Sequence, residues 1–234
     1  MGAAHNGGTL ALVLRSVADG LWVVEHPLKI AGLALGSRMT VARLSDGSSW
    51  LHSPVRFVPS TDVRAVGPVS AIVAPSKVHH LMVKDWTDAY GDARLFGAPG
   101  LSQKRPDLSF HTELGDEAPP EWDGVLDQLV IRGAPWVNEV LFLHRPSRTL
   151  IVTDAAFNIP AAPDWWTRGY LRAFGALGGF AQSRMFKLCV RDRRAVRESI
   201  DRVLAWDFDR VIVTHGEILE SGGKRAIEDV FAWL

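Results

Sequence analysis

Apolar and polar positions alternate along this chain with two different periods, and the period changes several times. Residues 38–44 (RMTVARL) follow the two-residue period of a strand with one buried face. Asp46-Gly47 is a strong turn signal, so residues 38–55 are predicted to form a hairpin. Short continuous apolar runs are typical of strands covered on both faces, and they occupy 69–75, 93–99, 126–133, 139–144, 149–154 and the stretch DRVIVTHGE.

Helical periodicity occupies other parts of the chain. It is predicted for HHLMVKDWTDAY, for part of 164–180, for DRRAVRESIDRVLAW after the N-cap residue Asp192, and for KRAIEDVFAWL. Residues 98–124 are rich in Pro, Gly and charge and are predicted to be a surface loop. Early strands meander and later strands alternate with helices, which predicts an α/β fold of stacked sheets flanked by helices, an αββα sandwich formed by one domain over 1–234.

Composition narrows the classes of function. The chain has 234 residues, of which 47% are hydrophobic, and its 26 basic residues balance 26 acidic ones. This balance argues against a nucleic-acid partner, which requires a basic surplus or stripe. The single cysteine, Cys189, excludes an internal disulfide and a cysteine zinc cluster, and its apolar surroundings predict a buried, inert thiol. No apolar run reaches the length of a membrane span and no leader is recognised, so a cytoplasmic protein without a membrane partner is expected.

Three predicted strand ends carry residues that can bind a metal. His79 and His80 follow the run ending at Pro75, Asp154 closes TLIVTD, and His215 closes RVIVTH. Neutral imidazole and carboxylate groups are suitable ligands for zinc, iron or manganese. Each residue taken alone also has a structural explanation, as a cap or a surface side chain. Their common placement at strand ends favours a shared site.

Several stretches, in this order along the chain, resemble the metallo-β-lactamase superfamily: AIVAPSKVHHL, NEVLFLHRPSRTLIVTDAAFN and RVIVTHGE. The stretch RMTVARLSDGSSWLHSPV is similar to an uncharacterised, divergent branch of that superfamily. The resemblance covers nearly the whole chain. It implies two mixed sheets flanked by helices, and it implies a metal site with hydrolytic chemistry.

The superfamily motif is incomplete here. The resemblance places the three ligands of a first metal at Pro75, Lys77 and near Pro135, none of which suits zinc. The ligands of a second metal fall on His79, His80, Asp154 and His215, with His79 in the place of an aspartate. The resemblance therefore implies one zinc, iron or manganese ion, or none. Our leading hypothesis takes His80, Asp154 and His215 as ligands; His79 is either a fourth ligand or points outward.

Two functions follow from this incomplete motif. One is a hydrolase acting on a small molecule through a single metal-activated water. The other is a non-catalytic protein that uses the old cleft to bind a ligand or partner. Whether the protein is an enzyme stays open at this stage.

Three further residues are candidates for contacts near the site. Lys77 either lies beside Asp154 and contacts an anion or substrate, or is an ordinary surface lysine. Trp165 and Trp166, which follow a proline-rich segment, form either an aromatic wall at the mouth of the site or a homo-oligomer interface. The other regularly placed tryptophans, Trp22, Trp50, Trp206 and Trp233, are predicted to lie in the core.

Overall fold

A computed structural model describes residues 13–234 of the chain. Its strands are β1 Leu14–Ala18, β2 Leu21–His26, β3 Lys29–Ile30, β4 Leu33–Ala34, β5 Ser37–Arg43, β6 Ser49–His52, β7 Val69–Ala74, β8 Arg94–Gly97, β9 Thr112–Glu113, β10 Leu126–Val130, β11 Val140–His144, β12 Thr149–Val152, β13 Phe157–Ile159, β14 Gly179–Ala181 and β15 Arg210–Val213. Its α-helices are α1 Val83–Ala89, α2 Leu101–Lys104, α3 Trp165–Ala173, α4 Arg184–Cys189, α5 Arg193–Leu204 and α6 Gly223–Val230, and a 3-10 turn spans Val63–Ala65.

Two mixed sheets organise these strands. The first has the order β1-β2-β5-β6-β7-β8-β9, with antiparallel pairing as far as β6 and parallel pairing beyond it. The second has the order β10-β11-β12-β15, in which β12 and β15 run parallel. Two small two-stranded sheets stand outside these sheets: the hairpin β3–β4, and the pair β13–β14, whose strands are separated by α3. The predicted hairpins at 38–55 and at the RPSR turn are confirmed as β5–β6 and β11–β12.

Apolar side chains fill three layers between and outside the sheets. Trp50, Phe96, Trp122 and Phe142 lie between the two sheets. Trp86 of α1 and Leu101 of α2 pack on the outer face of the first sheet. Side chains of α5 and α6 pack on the outer face of the second sheet: Val196, Ile200, Val203 and Ile227. The order of layers is therefore helix, sheet, sheet, helix, and the predicted αββα sandwich is confirmed.

Helix α5 forms where the sequence predicts it. The Asp192 carboxylate accepts a hydrogen bond from the Ala195 amide (3.0 Å), which satisfies one of the unpaired N–H groups of the first turn. Val196, Ile200 and Val203 then recur at helical spacing and are fully buried. This local agreement between cap and periodicity explains why the prediction is confirmed.

One local prediction is wrong. Residues 98–124 are not a surface loop, because they contain α2 and β9 and bury Leu114 and Trp122. The indole of Trp122 donates to Gln128 Oε1 (3.1 Å), a partner that periodicity does not reveal. The helix predicted for part of 164–180 is confirmed as α3, which ends at Ala173 because glycines with positive φ follow it and lead into β14. Among residues 13–234, no helix has the length and apolar character that a membrane span requires.

Candidate metal centre

Three chain segments meet at one end of the two sheets. Asp154 follows β12 and His215 follows β15, and these strands pair in parallel with Val152 opposite Val213. The residues after them are therefore neighbours. His79 arrives from the first sheet, on the turn that follows β7. Ligand atoms of His79, Asp154 and His215 all lie within 4.8 Å of one another.

The Asp154 carboxylate lies between the two imidazole rings. Its Oδ2 is 3.3 Å from His79 Nε2, and its Oδ1 is 4.0 Å from His215 Nε2. Oδ2 is buried without a hydrogen bond, since the 3.3 Å contact has an ion-pair distance but not hydrogen-bond geometry. A buried carboxylate that lies between two imidazole nitrogens and has one oxygen without a hydrogen-bond partner is a donor set that zinc, iron or manganese would satisfy. The three residues fit one metal ion.

His215 is held in the tautomer that a metal ligand needs. Its Nδ1 is 2.8 Å from the Gly36 carbonyl oxygen, which can only accept a hydrogen bond. The proton therefore lies on Nδ1, and the lone pair of Nε2 faces Asp154. Burial and the neighbouring His79 lower the pKa of His215 to about 4, so the ring is neutral near pH 7.

His79 and Asp154 each stabilise the charged form of the other. Burial alone would lower the pKa of His79, but the Asp154 carboxylate, with a smaller contribution from Glu139, outweighs burial and raises it. Burial likewise opposes ionisation of Asp154, yet His79 and His215 hold the pKa of that carboxyl below its usual range. The other nitrogen of His79, Nδ1, lies 3.0 Å from Ser53 Oγ.

His80 does not join this group. Its Nδ1 lies 3.0 Å from the Arg105 guanidinium, which can only donate, so the Nδ1 lone pair is already engaged. Burial and the charges of Lys104 and Arg105 lower the pKa of His80 to about 4. The group brought together therefore contains His79 in place of His80, the reverse of the leading hypothesis. Ser76 Oγ accepts from the amides of Val78 and His79, and this turn directs the adjacent imidazoles to different sides.

Glu139 supports the group from below and was not foreseen. It is fully buried, and its carboxylate accepts hydrogen bonds from the amides of Thr153 and Asp154, the latter at 3.0 Å. Burial and the nearby Asp154 charge raise the pKa of Glu139 to about 7. An acidic residue at the start of the otherwise apolar run EVLFLH was the available signal in the sequence, since a buried carboxylate needs a specific partner.

The turn that carries His215 is fixed in a similar way. The Arg38 guanidinium of β5 donates to the carbonyl oxygens of Val213 and Gly216, and to Glu25. Gly216 has a φ of +99°, and a side chain there would overlap the Asn158 carbonyl. Only glycine therefore allows the chain to turn directly after His215.

The positions assigned to a first metal are closed by hydrogen bonds. The Lys77 ammonium donates to the Pro135 carbonyl oxygen (3.1 Å), and the Lys77 amide donates to the Val137 carbonyl (2.8 Å). The Pro75 carbonyl accepts from the Val140 amide (2.8 Å). Lys77 is thus directed to Pro135, and the structure does not bring it to Asp154.

A cavity of about 700 Å³ opens above the three candidate ligands. Ser53, His79, Asp154 and His215 contribute polar groups to its lining. Its walls are mainly apolar and come from the segment around β3 and β4, from 53–56, from 78–82 and from α3 and α4: Leu28, Ile30, Leu35, Val55, Tyr170, Leu171, Phe174, Met185 and Phe186. The size and lining are those of a small-molecule site.

Cys189 lies in the wall of this cavity, whereas Trp165 and Trp166 do not line it. Cys189 is half-buried and lines it, so the expectation of a fully buried thiol is wrong, although partial burial does raise the pKa of the thiol. Trp165 and Trp166 are 80% and 49% exposed, and α3 lines the cavity instead through Tyr170, Leu171 and Phe174.

Neither a family model nor a curated protein sequence matches the chain. Solved structures do match it. A metallo-beta-lactamase from Pontibacter korlensis has a TM-score of 0.66 at 10% identity, covering 94% of this chain and 99% of that one. The metallo-beta-lactamase FIM-1 from Pseudomonas aeruginosa, in its mono-zinc form, has a TM-score of 0.64 at 10% identity and covers 96% of both chains.

A flavo di-iron protein from Thermotoga maritima also matches, with a TM-score of 0.65 at 10% identity over 93% of this chain and 61% of that one. At such identities the likeness concerns the fold. The layer order, the sheet topology and these neighbours agree, and the chain has the metallo-β-lactamase fold.

Proposed function

We propose that this protein is a hydrolase that uses one divalent metal ion, held by His79, Asp154 and His215, on a largely apolar small molecule. The observation that carries the proposal is the buried Asp154 carboxylate, which lies between the Nε2 atoms of His79 and His215, has an unpartnered Oδ2 and lines a cavity with apolar walls. A bound zinc, iron or manganese ion supplies Lewis acidity and lowers the pKa of water to about 7.

The chain's own residues prepare this site. His215 presents a neutral Nε2 because the Gly36 carbonyl holds its proton on Nδ1. Asp154 supplies the single negative charge of the ligand set, and Glu139 fixes the backbone from which it projects. The apolar walls bind the body of the substrate and exclude bulk water, which strengthens every electrostatic contact at the floor.

The adjacent histidines provide the sharpest test. In tag-free protein grown with zinc or manganese, His79→Gln should lose bound metal, because it removes one of three ligands. His80→Gln is the matched control: same residue type, next position, but directed at Arg105. It should retain metal, as measured by elemental analysis. Loss of metal in His80→Gln with retention in His79→Gln would overturn the proposed ligand set.

A second candidate function uses the same histidine without a metal. Ser53 Oγ lies 3.0 Å from His79 Nδ1, and His79 Nε2 lies 3.3 Å from Asp154. The three side chains therefore form a row in space in which Ser53 is the nucleophile, His79 the base and Asp154 the carboxylate that orients the base. Ser53 lines the cavity and has a φ of +52°, a strained backbone of the kind found at catalytic residues. Ser53 Oγ would attack an ester carbonyl carbon while its proton passes to Nδ1 and then to the leaving alcohol; water would hydrolyse the acyl-serine.

The two mechanisms require opposite tautomers of His79. As a ligand, His79 has its proton on Nδ1 and donates to Ser53; as a base, it has its proton on Nε2 and accepts from Ser53. A metal chelator should abolish a metal-dependent esterase activity and spare a serine-dependent one. Ser53→Ala should abolish covalent labelling by a fluorophosphonate and leave metal content intact. If the protein neither binds metal nor labels at Ser53, the non-catalytic ligand-binding function is the better explanation.

A further inference from the structure

Several exposed apolar side chains lie around the mouth of the cavity, whereas the exposed Val13, Trp136 and Leu188 do not line it. Ile30, Val78, Leu81 and Met185 each line the cavity and yet are 45–60% exposed. Trp165 and Trp166 stand beside them on α3, whose inner face lines the same cavity. Exposed apolar residues concentrated on one face indicate a surface that contacts another apolar phase.

Trp166 also lies against another wall of the cavity, the β3–β4 hairpin. A Cβ placed on Gly32, in the β3–β4 turn, would lie 3.7 Å from the indole nitrogen of Trp166. The Ala34 amide of the same hairpin donates to Thr167 Oγ1 (3.0 Å). The hairpin and α3 are thus neighbouring walls, and the tryptophans lie at their outer edge.

The same segments are basic although the whole chain is neutral. Segments 26–35, 53–58, 76–82 and 164–189 contain one acidic residue, Asp164, which caps α3 through Thr167. They contain seven basic residues: Lys29, Arg56, Lys77, Arg168, Arg172, Arg184 and Lys187. None of the seven forms a salt bridge with a described residue, whereas cations elsewhere do, for example Arg145 with Asp127 and Arg210 with Glu220.

We propose that this mouth face, made of segments 26–35, 53–58, 76–82 and 164–189, docks on an anionic lipid surface. Tryptophan and apolar side chains insert at the level of the headgroups, and the exposed Arg168 and Arg172, which form no salt bridge with a described residue, attract the negative surface. The cavity mouth then faces the lipid, from which an acyl chain can enter the apolar walls. This inference departs from the expectation of no membrane partner, which rested on the lack of a long apolar run, because a face that docks on a lipid surface needs no membrane-spanning segment.

Vesicle sedimentation of the full-length protein tests the proposal. The protein should pellet with vesicles of phosphatidylcholine containing about one third phosphatidylglycerol, and not with phosphatidylcholine alone. Binding should weaken as salt is raised, since exposed charges are screened. Arg168→Gln/Arg172→Gln and Trp165→Ser/Trp166→Ser should each weaken partitioning by about tenfold or more.

The matched control is Arg145→Gln/Arg148→Gln, which removes two exposed cations from the hairpin at the opposite end of β12. It should bind vesicles like the wild type, and unchanged melting temperatures should show that all variants fold. Absence of vesicle binding at every composition, or equal binding by all variants, would overturn the proposal. So would a dimer that both tryptophan substitutions dissociate, because the face would then bind a second copy of the chain.

Discussion

The two sides of the cleft floor have opposite constructions. On one side, His79, Asp154 and His215 converge, and each has a supporting partner: Ser53, Glu139 and Gly36. On the other, Pro75, Lys77 and Pro135 occupy the positions assigned to a first metal, and hydrogen bonds link that segment to 135–140.

The difference shows that a site depends on its supports as much as on its ligands. The ligand-bearing side keeps partners that orient its imidazoles and its carboxylate. On the other side, hydrogen bonds from Lys77 and Val140 to backbone carbonyls hold the fold, and Pro75, Lys77 and Pro135 offer no ligand suited to zinc.

The largest expected effect is the loss of metal in Asp154→Asn. The substitution preserves shape and removes the only anionic ligand, so metal uptake should disappear, together with any rise in melting temperature on adding zinc. Lys77→Met, on the opposite side, should keep both properties. Elemental analysis should find no more than one metal per wild-type chain; two tightly held metals would contradict the contrast between the sides.

The next effect is on stability, and it compares one glycine on each side of the cleft floor, Gly216 and Gly100. Gly216→Ala should destabilise the protein by about 3–5 kcal/mol, because the new side chain meets the Asn158 backbone. Gly100→Ala should cost about 1–2 kcal/mol, because its Cβ would meet only the mobile end of Lys77, 2.8 Å away, besides the strain of positive φ. Chemical denaturation measures both. Equal losses would show that the two sides are equally rigid.

Glu139→Gln should have an intermediate effect on both stability and metal binding. The amide cannot accept from two backbone N–H groups as a carboxylate does, so unfolding should become easier by about 2–3 kcal/mol. Metal affinity should fall about 10- to 100-fold, because Asp154 loses its anchored backbone. Glu220→Gln, at an exposed ion pair with Arg210, is the control and should change neither property appreciably. Unchanged metal affinity in Glu139→Gln would remove Glu139 from the support of the site.

The smallest expected effect is that of Lys77→Met on stability. One partly exposed hydrogen bond to Pro135 is lost, at a cost of about 0.5 kcal/mol. Because the ammonium is directed to that carbonyl, titration calorimetry with phosphate should give the same result for both proteins. A weaker affinity in the variant would support the alternative in which Lys77 contacts an anion.

The fold was accessible from sequence because its signals are local. Alternation in RMTVARL, the Asp46-Gly47 turn and the Asp192 cap each act within a few residues, and each is found in the structure. The strand ends that carry His79, Asp154 and His215 follow from the same apolar runs.

The details of the site depend on contacts between distant residues. Ser53 reaches His79 across 26 positions, and Arg38 reaches Val213 across 175. Which of two adjacent histidines points inward depends on a turn stabilised by Ser76, and no periodicity encodes that. The single-domain organisation, the cytoplasmic location, the absence of a nucleic-acid partner and the homo-oligomer stay predictions.

The Arg38 contacts have a mechanical consequence. Arg38 belongs to the first sheet and donates to two carbonyl groups at the end of the second, while the Gly36 carbonyl, directly before β5, accepts from His215. Sliding one sheet past the other would break these bonds together, so the floor of the cleft is stiff. The β3–β4 hairpin and α3 stand outside both sheets. They are linked by the hydrogen bond from the Ala34 amide to Thr167 Oγ1 described above. Entry and exit of a ligand are therefore expected to be set by movement of these walls over an immobile floor.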